Sequence, residues 1–332
     1  MSEVVVGIDA LSPPDDGAAI AIGTFDGVHL GHRALIALTV AEARARGLTS
    51  VVLTWDRHPA ATLRPDAAPP MLTSPERKIE LLGETGADVV AVLPFDVPLS
   101  QRTPESFVED VLVKGLGARL VLVGRGWRFG KGRAGTVELL EELGRDLGFE
   151  ARGVELEEVG GEAASSSRVR SAVTSGDLET AERLLGRPFD LDGVVEHGDA
   201  RGAGLGFPTA NLAIDPTIAA PPVGVYAGRA RHAPAARTQG GSWFPAATNV
   251  GVNPTFGGAG TPRIETYLVG FDGDLYGQSL RVEFWQRLRD EKRFDSVDEL
   301  IAQMGRDVEA TKALVAERGE GGVGRTAGQR PG

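Results

Sequence analysis

Cysteine is absent from the chain, which excludes disulfide bonds, thiolate zinc sites and a cysteine nucleophile. No apolar run approaches the roughly 20 residues of a membrane span, and the N-terminus lacks a basic segment followed by an apolar one. We therefore expect a cytoplasmic protein that is neither membrane-bound nor secreted. A net positive charge is also missing. The net charge of -11 argues against a general nucleic-acid binder, because nonspecific affinity for nucleic acid comes mainly from lysine and arginine.

The composition is that of an ordinary globular protein, with 42% hydrophobic and 24% charged residues. Because 332 residues is long for a single core, we expect two domains. In the first half, apolar runs typical of buried strands alternate with helical patterns. Two helices should begin where a capping residue precedes a proline, at Ser74-Pro75 and Thr103-Pro104. The alternation predicts an α/β domain, a doubly wound, Rossmann-like parallel sheet.

The pattern changes after residue 165, first to short helices and then to short strands separated by turn residues. This spacing predicts a C-terminal, all-β domain, an antiparallel β-barrel closed by one helix over 297–315. The predicted strands cover 191–197, 223–230, 246–252, 263–269 and 280–284. We place the domain limits at 1–186 and 187–318, and expect the glycine-rich tail 319–332 to be disordered.

The segment 20–32, Ile-Ala-Ile-Gly-Thr-Phe-Asp-Gly-Val-His-Leu-Gly-His, predicts a strand, a glycine turn and the start of a helix. Such a helix start binds anions well, because its first N–H groups have no partner and the helix dipole favours negative charge. His29 and His32 would add donors that can become cationic, and Gly27 and Gly31 would let phosphate oxygens approach the backbone. An ordinary turn with two surface histidines has the same spacing, so the segment alone leaves the choice open.

A second glycine-rich segment, 198–211, leads into Phe-Pro-Thr-Ala-Asn. Thr209 and Asn211 are two residues apart, so in an extended chain their side chains point to the same side. Oxygen ligands of this kind suit a hard cation such as Mg²⁺ carried in with ATP. A glycine-rich loop alone is more often a turn than a site.

Taken in order, the motifs resemble the bacterial bifunctional riboflavin kinase/FAD synthetase family. The resemblance extends from about Ala18 to Thr311. The front half carries the marks of the adenylyltransferase: 23–27, 29–32, 58–59, 123–124 with 128–130, and 165–170. The barrel half carries those of riboflavin kinase: 206–211, 224–228, 249–255, 265–267, 275–277 and 288–294.

For the barrel half, the resemblance implies transfer of the γ-phosphoryl group of ATP to the 5′-hydroxyl of riboflavin, which yields FMN. Thr209 and Asn211 would hold Mg²⁺, and Glu265 would be the base that takes the hydroxyl proton. Arg289 and Phe294 would belong to a flap over the flavin. The implied ATP contacts are Gly204, Gly206 and Pro208.

For the front half, the resemblance implies transfer of AMP from a second ATP to FMN. His29 and His32 would stabilise the departing pyrophosphate. The implied ATP contacts are Gly23, Thr24, Phe25, Asp26, Gly27, Gly31, Ser166, Ser167 and Arg170, and the implied flavin contacts are His58, Pro59 and Trp127.

The front half departs from the family pattern near the expected flavin pocket. Gly126 stands where a polar Asn or Asp is usual and Trp127 where Phe is usual, while Trp55 and Arg57 replace a Phe and a Pro. A missing hydrogen-bond partner costs about 1–3 kcal/mol. One hypothesis is therefore a riboflavin kinase whose adenylyltransferase half is impaired or accepts an altered flavin.

Three further alternatives stay open. The front half could only bind nucleotide, the whole chain could be a non-catalytic flavin- or nucleotide-binding protein, or the front half could be a different nucleotidyltransferase, since His-x-Gly-His belongs to a broad superfamily. We expect small-molecule partners only, with no nucleic acid and no membrane. Self-association, the preferred flavin and a role for the segment 229–244 are left undecided.

Overall fold

A computed structural model describes residues 2–155, 157–198, 203–232, 242–252 and 262–321. The chain forms two compact units. The first holds the residues up to Arg170 together with Arg183–Gly186, and the second holds Ser171–Glu182 and the residues from Arg187 onward. Among the described residues, no helix combines the length and the apolar character needed to cross a membrane.

The first unit is built on a six-stranded sheet in which every pair of neighbours is parallel, as predicted. The strand order is β1-β4-β3-β2-β5-β6, so the strand that contains Val4 lies at an edge of the sheet. From β2 the chain adds β3 and β4 on one side and then β5 and β6 on the other, so the direction in which strands are added reverses at β2. Ligands of open α/β sheets bind at such a reversal, outside the carboxyl ends of the strands. The strands are β1 Glu3–Val6, β2 Ala18–Ile22, β3 Thr49–Trp55, β4 Val89–Leu93, β5 Ala118–Gly124 and β6 Glu150–Val154.

Helices connect these strands and begin at the predicted caps. The hydroxyls of Ser74 and Thr103 accept the backbone N–H groups of Arg77 and Ser106, and a proline occupies the next position in each helix. The helices are α1 Leu30–Arg46, α2 Pro59–Leu63, α3 Pro75–Gly83, α4 Val97–Ser100, α5 Pro104–Phe107, which continues as a π-helix over Val108–Gly115, and α6 Val137–Leu147. Helix α2 lies within the stretch that connects β3 to α3.

Two apolar layers cover the sheet, one on each face. All five residues of β2 are buried, and because successive side chains point to opposite faces, Ile20 joins one layer and Ala19 the other. The small side chains of Ala19 and Ala21 lie in the layer that contains Leu35 and Ile36 of α1. A central strand buried on both faces fixes the position of the turn that follows it.

The last strand of the parallel sheet is followed along the chain by a short hairpin and two helices. The hairpin consists of β7 Glu158–Val159 and β8 Glu162–Ala163, and the helices are α7 Ser166–Ser175 and α8 Leu178–Leu185.

The second unit contains a closed antiparallel barrel, as predicted, with the order β10-β13-β12-β11-β14-β9. The strands are β9 Phe189–Glu196, β10 Thr209–Ala213, β11 Gly224–His232, β12 Phe244–Val252, β13 Pro262–Leu268 and β14 Ser279–Arg289, and α9 Val297–Gly321 follows them. The five predicted strands are present, but β10 was missed as a strand. Its pairing with both β9 and β13 closes the barrel.

One prediction about the end of a segment needs correction. Helix α9 ends at Gly321 rather than at 315, so it takes in the start of the tail that was predicted to be disordered. The segment 229–244 contains the end of β11 and the start of β12. Residues 233–241 and the tail from 322 lie outside the described residues.

Gly228 of β11 lies next to a shift in the register between β11 and β14, which falls between Ala227 and Gly228. A Cβ atom at Gly228 would overlap the carbonyl oxygen of Glu283 on β14. The strand therefore requires glycine at this position for lack of space.

Replacing Gly228→Ala should destabilise the barrel by about 1–3 kcal/mol, because one backbone must move away from the other. Gly305→Ala is the matched control: Gly305 lies inside α9, its Cβ would meet no heavy atom within 4 Å, and the change should stabilise the helix by up to about 1 kcal/mol. Denaturant unfolding of both variants measures the two effects. Equal midpoints would contradict the close approach of the two strands.

Candidate functional site

Three loops of the first unit meet at one edge of the sheet. Because β2 pairs in parallel with both β3 and β5, the segments that follow their carboxyl ends lie side by side. The turn after β2 has positive φ angles at Phe25 (48°), Gly27 (79°) and Val28 (43°). Strained non-glycine residues of this kind cluster at ligand sites. The turn delivers His29 to the start of α1.

We call the turn after β2 together with the start of α1 the mouth of the first unit. Asp26 is its central residue and is only 1% exposed. Its carboxylate accepts the N–H of Leu72 at 2.8 Å and Nη2 of Arg170 at 2.9 Å, while its backbone carbonyl accepts the hydroxyl of Ser166 at 2.9 Å. Burial raises the pKa of Asp26, and the hydrogen bond from Leu72 and the Arg170 guanidinium oppose the rise. One buried side chain thus joins the turn after β2, the loop before α3 and the start of α7.

His29 and His32 are packed against each other rather than presented at the surface. Nδ1 of His29 caps α1 by accepting the N–H of His32 at 3.3 Å, so a neutral His29 carries its proton on Nε2. The two rings stack with centroids 3.5 Å apart. The edge of His32 meets Phe25, with centroids 5.1 Å apart.

Burial also determines the charge of the two histidines. It lowers the pKa of His29 to about 4 and holds the pKa of His32 well below its usual value. Burial therefore opposes the positive charge that we expect these imidazoles to be able to gain, and the alternative of two surface histidines is wrong for His29, which is 1% exposed. Nδ1 of His32 is buried and has no hydrogen-bond partner among the described residues.

The glycines of the mouth allow close packing. A Cβ on Gly27 would lie 2.9 Å from Cδ1 of Leu72, and one on Gly31 would lie 3.2 Å from the carbonyl oxygen of Ala164. The backbone N–H of Gly23 donates to the carbonyl of Leu53 at 3.1 Å. At the same edge of the sheet, the carbonyl of Thr24 accepts a hydrogen bond from the hydroxyl of Thr54 at 3.1 Å.

Arg170 is another residue predicted to contact ATP. Besides its bond to Asp26, it donates a hydrogen bond from Nε to the carbonyl of Pro70 at 2.6 Å. Ser166 and Arg170 therefore both hold the Asp26 cluster together. Ser167, by contrast, is exposed.

The predicted flavin residues of the first unit follow β3 and β5. His58 caps α2 by accepting the N–H of Ala60 at 3.1 Å, and Pro59 is the first residue of that helix. Trp127 stacks on Phe129 with ring centroids 4.6 Å apart. The space around Gly126 is open, because a Cβ there would meet no heavy atom within 4 Å.

Sequence reasoning missed Lys78 of α3, which is 1% exposed. Its Nζ donates to the carbonyl of Trp55, at the end of β3, at 2.5 Å. Burial lowers the pKa of Lys78 to about 8. Nothing in the pattern distinguishes this lysine from a solvated one, because a polar residue in a short amphipathic helix normally faces water.

The barrel of the second unit contains a cavity of about 760 Å³ that brings five predicted residues together. Its lining includes Thr209, Asn211, Glu265, Arg289 and Phe294. The strand register explains part of this arrangement.

Asn211 on β10 and Asn249 on β12 both stand opposite Glu265 on β13. The three polar side chains thus form a row across neighbouring strands that lines the cavity. Asn249 lies within a quoted motif, but it had no predicted role.

The cavity offers oxygen ligands that fit Mg²⁺. Thr209 and Asn211 line it from one strand, and Oδ1 of Asn249 is buried without a hydrogen-bond partner in the described part of the barrel. Within the residues that the structure covers, no group of three or more His, Cys, Asp or Glu side chains could hold a metal. Hydroxyl and amide oxygens suit a cation that keeps water and nucleotide phosphates as its other ligands.

Ion pairs set the charge around this cavity. Glu265 forms an ion pair with Arg263, two residues away on the same face of β13. Nη2 of Arg289 donates to the buried carboxylate of Asp307 at 2.8 Å, and the Arg289 guanidinium lies 5.8 Å from the ring centre of Phe294. Arg289 and Phe294 are therefore neighbours at the edge of the cavity.

The glycine-rich segment reaches the cavity through Leu205 and Phe207. Gly204, Gly206 and Pro208 adjoin these two residues, and Gly206 has a φ of 85°. Residues 199–202 of the segment lie outside the described residues, as do Pro254 and Thr255 of the motif 249–255.

Acid should destabilise the first unit through His29. Because its pKa is lower in the folded protein than in the unfolded chain, stability falls as the pH drops below about 6.5, by about 2 kcal/mol at pH 5. His29→Asn should reduce this loss, since asparagine can still cap α1 but does not titrate. Hydrogen exchange of the β2 amides at pH 7 and pH 5 measures the effect.

His197→Asn, in the second unit, is the control and should leave the acid sensitivity of the β2 amides unchanged. If wild type and His29→Asn lose the same stability between pH 7 and pH 5, the lowered pKa is contradicted.

Two protein-family models match the chain. The model described as FAD synthetase matches residues 12–168, and the one described as riboflavin kinase matches residues 185–315. The bifunctional riboflavin kinase/FMN adenylyltransferase of Escherichia coli K12 is 38% identical over 306 residues, which cover 92% of this chain and 95% of that protein. The protein of the same name from Pseudomonas fluorescens is 37% identical and covers 95% and 98%.

A solved structure also resembles this chain along most of its length. It is a crystal structure from Streptococcus pneumoniae described as a macrolide-efflux protein, with a TM-score of 0.81 and 29% identity, covering 93% of this chain and 98% of that one.

Proposed function

From its membership of the bifunctional riboflavin kinase/FMN adenylyltransferase family, to which the chain belongs, we propose how its two units divide the chemistry. The enzyme phosphorylates riboflavin to FMN and adenylylates FMN to FAD. The barrel, within 187–318, carries the kinase site, and the parallel-sheet domain, within 1–186, carries the adenylyltransferase site. The row of Asn211, Glu265 and Asn249 in the barrel cavity is the observation that supports this division best.

In the kinase step, Glu265 takes the proton of the riboflavin 5′-hydroxyl while the oxygen attacks the γ-phosphorus of ATP and ADP leaves. Thr209 and Asn211 would hold Mg²⁺, which supplies charge neutralisation at the phosphates. Oδ1 of Asn249, for which the described residues provide no hydrogen-bond partner, supports an oxygen-lined metal position. Arg289, fixed by Asp307, and Phe294 bound the flavin side of the cavity.

In the adenylyl step, the FMN phosphate attacks the α-phosphorus of ATP and pyrophosphate leaves. No protein nucleophile is needed, so the mouth at the start of α1 acts by positioning and by donating hydrogen bonds. His29 can donate from Nε2 as a neutral imidazole, because its Nδ1 is occupied by the N–H of His32. Asp26 fixes Arg170 and Ser166 at the same mouth.

Gly126 and Trp127 favour a second candidate, in which the adenylyl step is slow or takes an altered flavin. Open space surrounds Gly126, so no side chain supplies a polar contact at that position, and Trp127 is engaged with Phe129. Two parallel assays separate the candidates, one with FMN as the only flavin and one with riboflavin. A rate of FAD formation from FMN that equals the rate of riboflavin phosphorylation would exclude the slow front site.

The proposed partners are small molecules, riboflavin, FMN and ATP with Mg²⁺, and neither nucleic acid nor a membrane takes part. The proposed location is the cytoplasm, where both flavin and ATP are available.

Glu265→Gln should lower kcat for riboflavin phosphorylation by about 10²–10⁴-fold, because the amide cannot accept the hydroxyl proton. FMN adenylylation by the same variant should keep its wild-type rate and so serves as an internal control for folding. Chromatography of the flavins with each substrate measures both activities. Unchanged phosphorylation would remove Glu265 from the mechanism.

A further inference from the structure

Lys78 lies beneath the mouth of the first unit, and the mechanism above does not use it. The side chain is buried, and its Nζ contacts the carbonyl of Trp55 at the carboxyl end of β3. The adjacent strand β2 leads into the turn that carries Asp26. The ammonium group is therefore at the edge of the sheet where the phosphate groups are expected.

The charges around Lys78 do not cancel. Asp26 faces it from the turn after β2 but is paired with Arg170 at 2.9 Å, and Asp56 faces it after β3 but is paired with Arg57 at 2.8 Å. Two acidic groups are thus each matched by an arginine. In this group of five side chains, the positive charges therefore outnumber the negative ones by the charge of Lys78.

The imidazoles around Lys78 do not change this balance. His32 faces it from α1 and His58 faces it from the start of α2, and burial lowers the pKa of both. Both rings are neutral at pH 7 and above. Among the groups that face one another around its side chain, Lys78 therefore supplies the excess positive charge.

A buried ammonium group without an anion is costly, and the cost falls when an anion arrives. Nζ has three N–H donors, and the one hydrogen bond to Trp55 is the only one that the described residues provide. Phosphate groups of ATP and FMN, bound at the start of α1, would supply the missing negative charge.

We propose that Lys78 is a positioning residue for adenylyl transfer: its buried charge draws the phosphate groups of ATP and FMN to the mouth formed by His29 and the Asp26 cluster. The proposal rests on the adenylyltransferase function assigned to this unit. It does not require Lys78 to touch the substrate.

Lys78→Met tests the charge at nearly constant volume. The KM for FMN in FAD formation should rise by about ten-fold or more, with a smaller change in kcat, because binding of the anion loses an attraction. Riboflavin phosphorylation should stay at the wild-type level. Lys114→Met, which removes an exposed lysine of the same unit, is the matched control. It should leave the KM for FMN and the KM for riboflavin unchanged.

A second variant separates charge from shape. Lys78→Arg keeps the positive charge and should recover at least part of the lost affinity for FMN. The melting temperature of Lys78→Met should not fall below that of wild type, because the change removes a buried charge.

A pH series gives a result that a purely structural role would not produce. Above its pKa of about 8, Lys78 loses its charge, so wild-type kcat/KM for FMN should decline between pH 7 and 9.5. Phosphate monoesters, whose second pKa is about 6, gain negative charge rather than lose it as the pH rises, so they do not cause this decline. Burial lowers the pKa of His32 and of His58 from the usual histidine value, so neither ring gains or loses a proton as the pH rises through this range. Lys78→Met should lack the decline.

Lys78→Met with wild-type KM, or a wild-type profile that is flat to pH 9.5, would overturn the role of Lys78 while leaving FAD formation intact. The role of Lys78 would also be overturned, in favour of a packing role, if Lys78→Arg failed to recover affinity for FMN and the melting temperature of Lys78→Met fell below that of wild type. Absence of any FAD from wild-type protein would instead contradict the adenylyltransferase assignment itself, and the role of Lys78 with it.

Discussion

The buried carboxylate of Asp26 is the interaction on which the candidate adenylyl site depends. It accepts hydrogen bonds from Leu72 and Arg170, while its own carbonyl holds Ser166. Three segments that are distant in sequence are thereby fixed around the start of α1. Loss of one partner of such a buried pair leaves an uncompensated charge, which is strongly destabilising. The geometry of the mouth therefore depends on this network as a whole.

The two units handle anionic substrates in different ways. The first unit buries His29 and His32, which lowers the pKa of both, and holds the buried ammonium group of Lys78 beneath the mouth. The barrel instead presents hydroxyl and amide oxygens from Thr209, Asn211 and Asn249. We propose that the first arrangement attracts the phosphate groups through the charge of Lys78 and that the second holds the Mg²⁺ carried in with ATP.

Much of the fold follows from periodicity, whereas the properties of the site depend on packing. The parallel sheet and the capped helices were predictable because strand runs and cap residues are local features. Strand β10 was missed because it is short, directly follows the glycine-rich segment, and has only one β-branched residue and no aromatic one, Thr-Ala-Asn-Leu-Ala. The burial of His29 and Lys78 was not predictable, since it results from contacts with residues far away in the sequence. The pairing of Arg263 with Glu265 could have been predicted from their spacing on one strand.

The most direct measurement is a time course of the wild-type protein with riboflavin, ATP and Mg²⁺, in which the flavins are resolved by chromatography and pyrophosphate is followed. The division of chemistry between the units predicts that FMN forms first and that FAD then appears with one pyrophosphate for each FAD. FMN that accumulates without FAD, or FAD without any transient FMN, would contradict it.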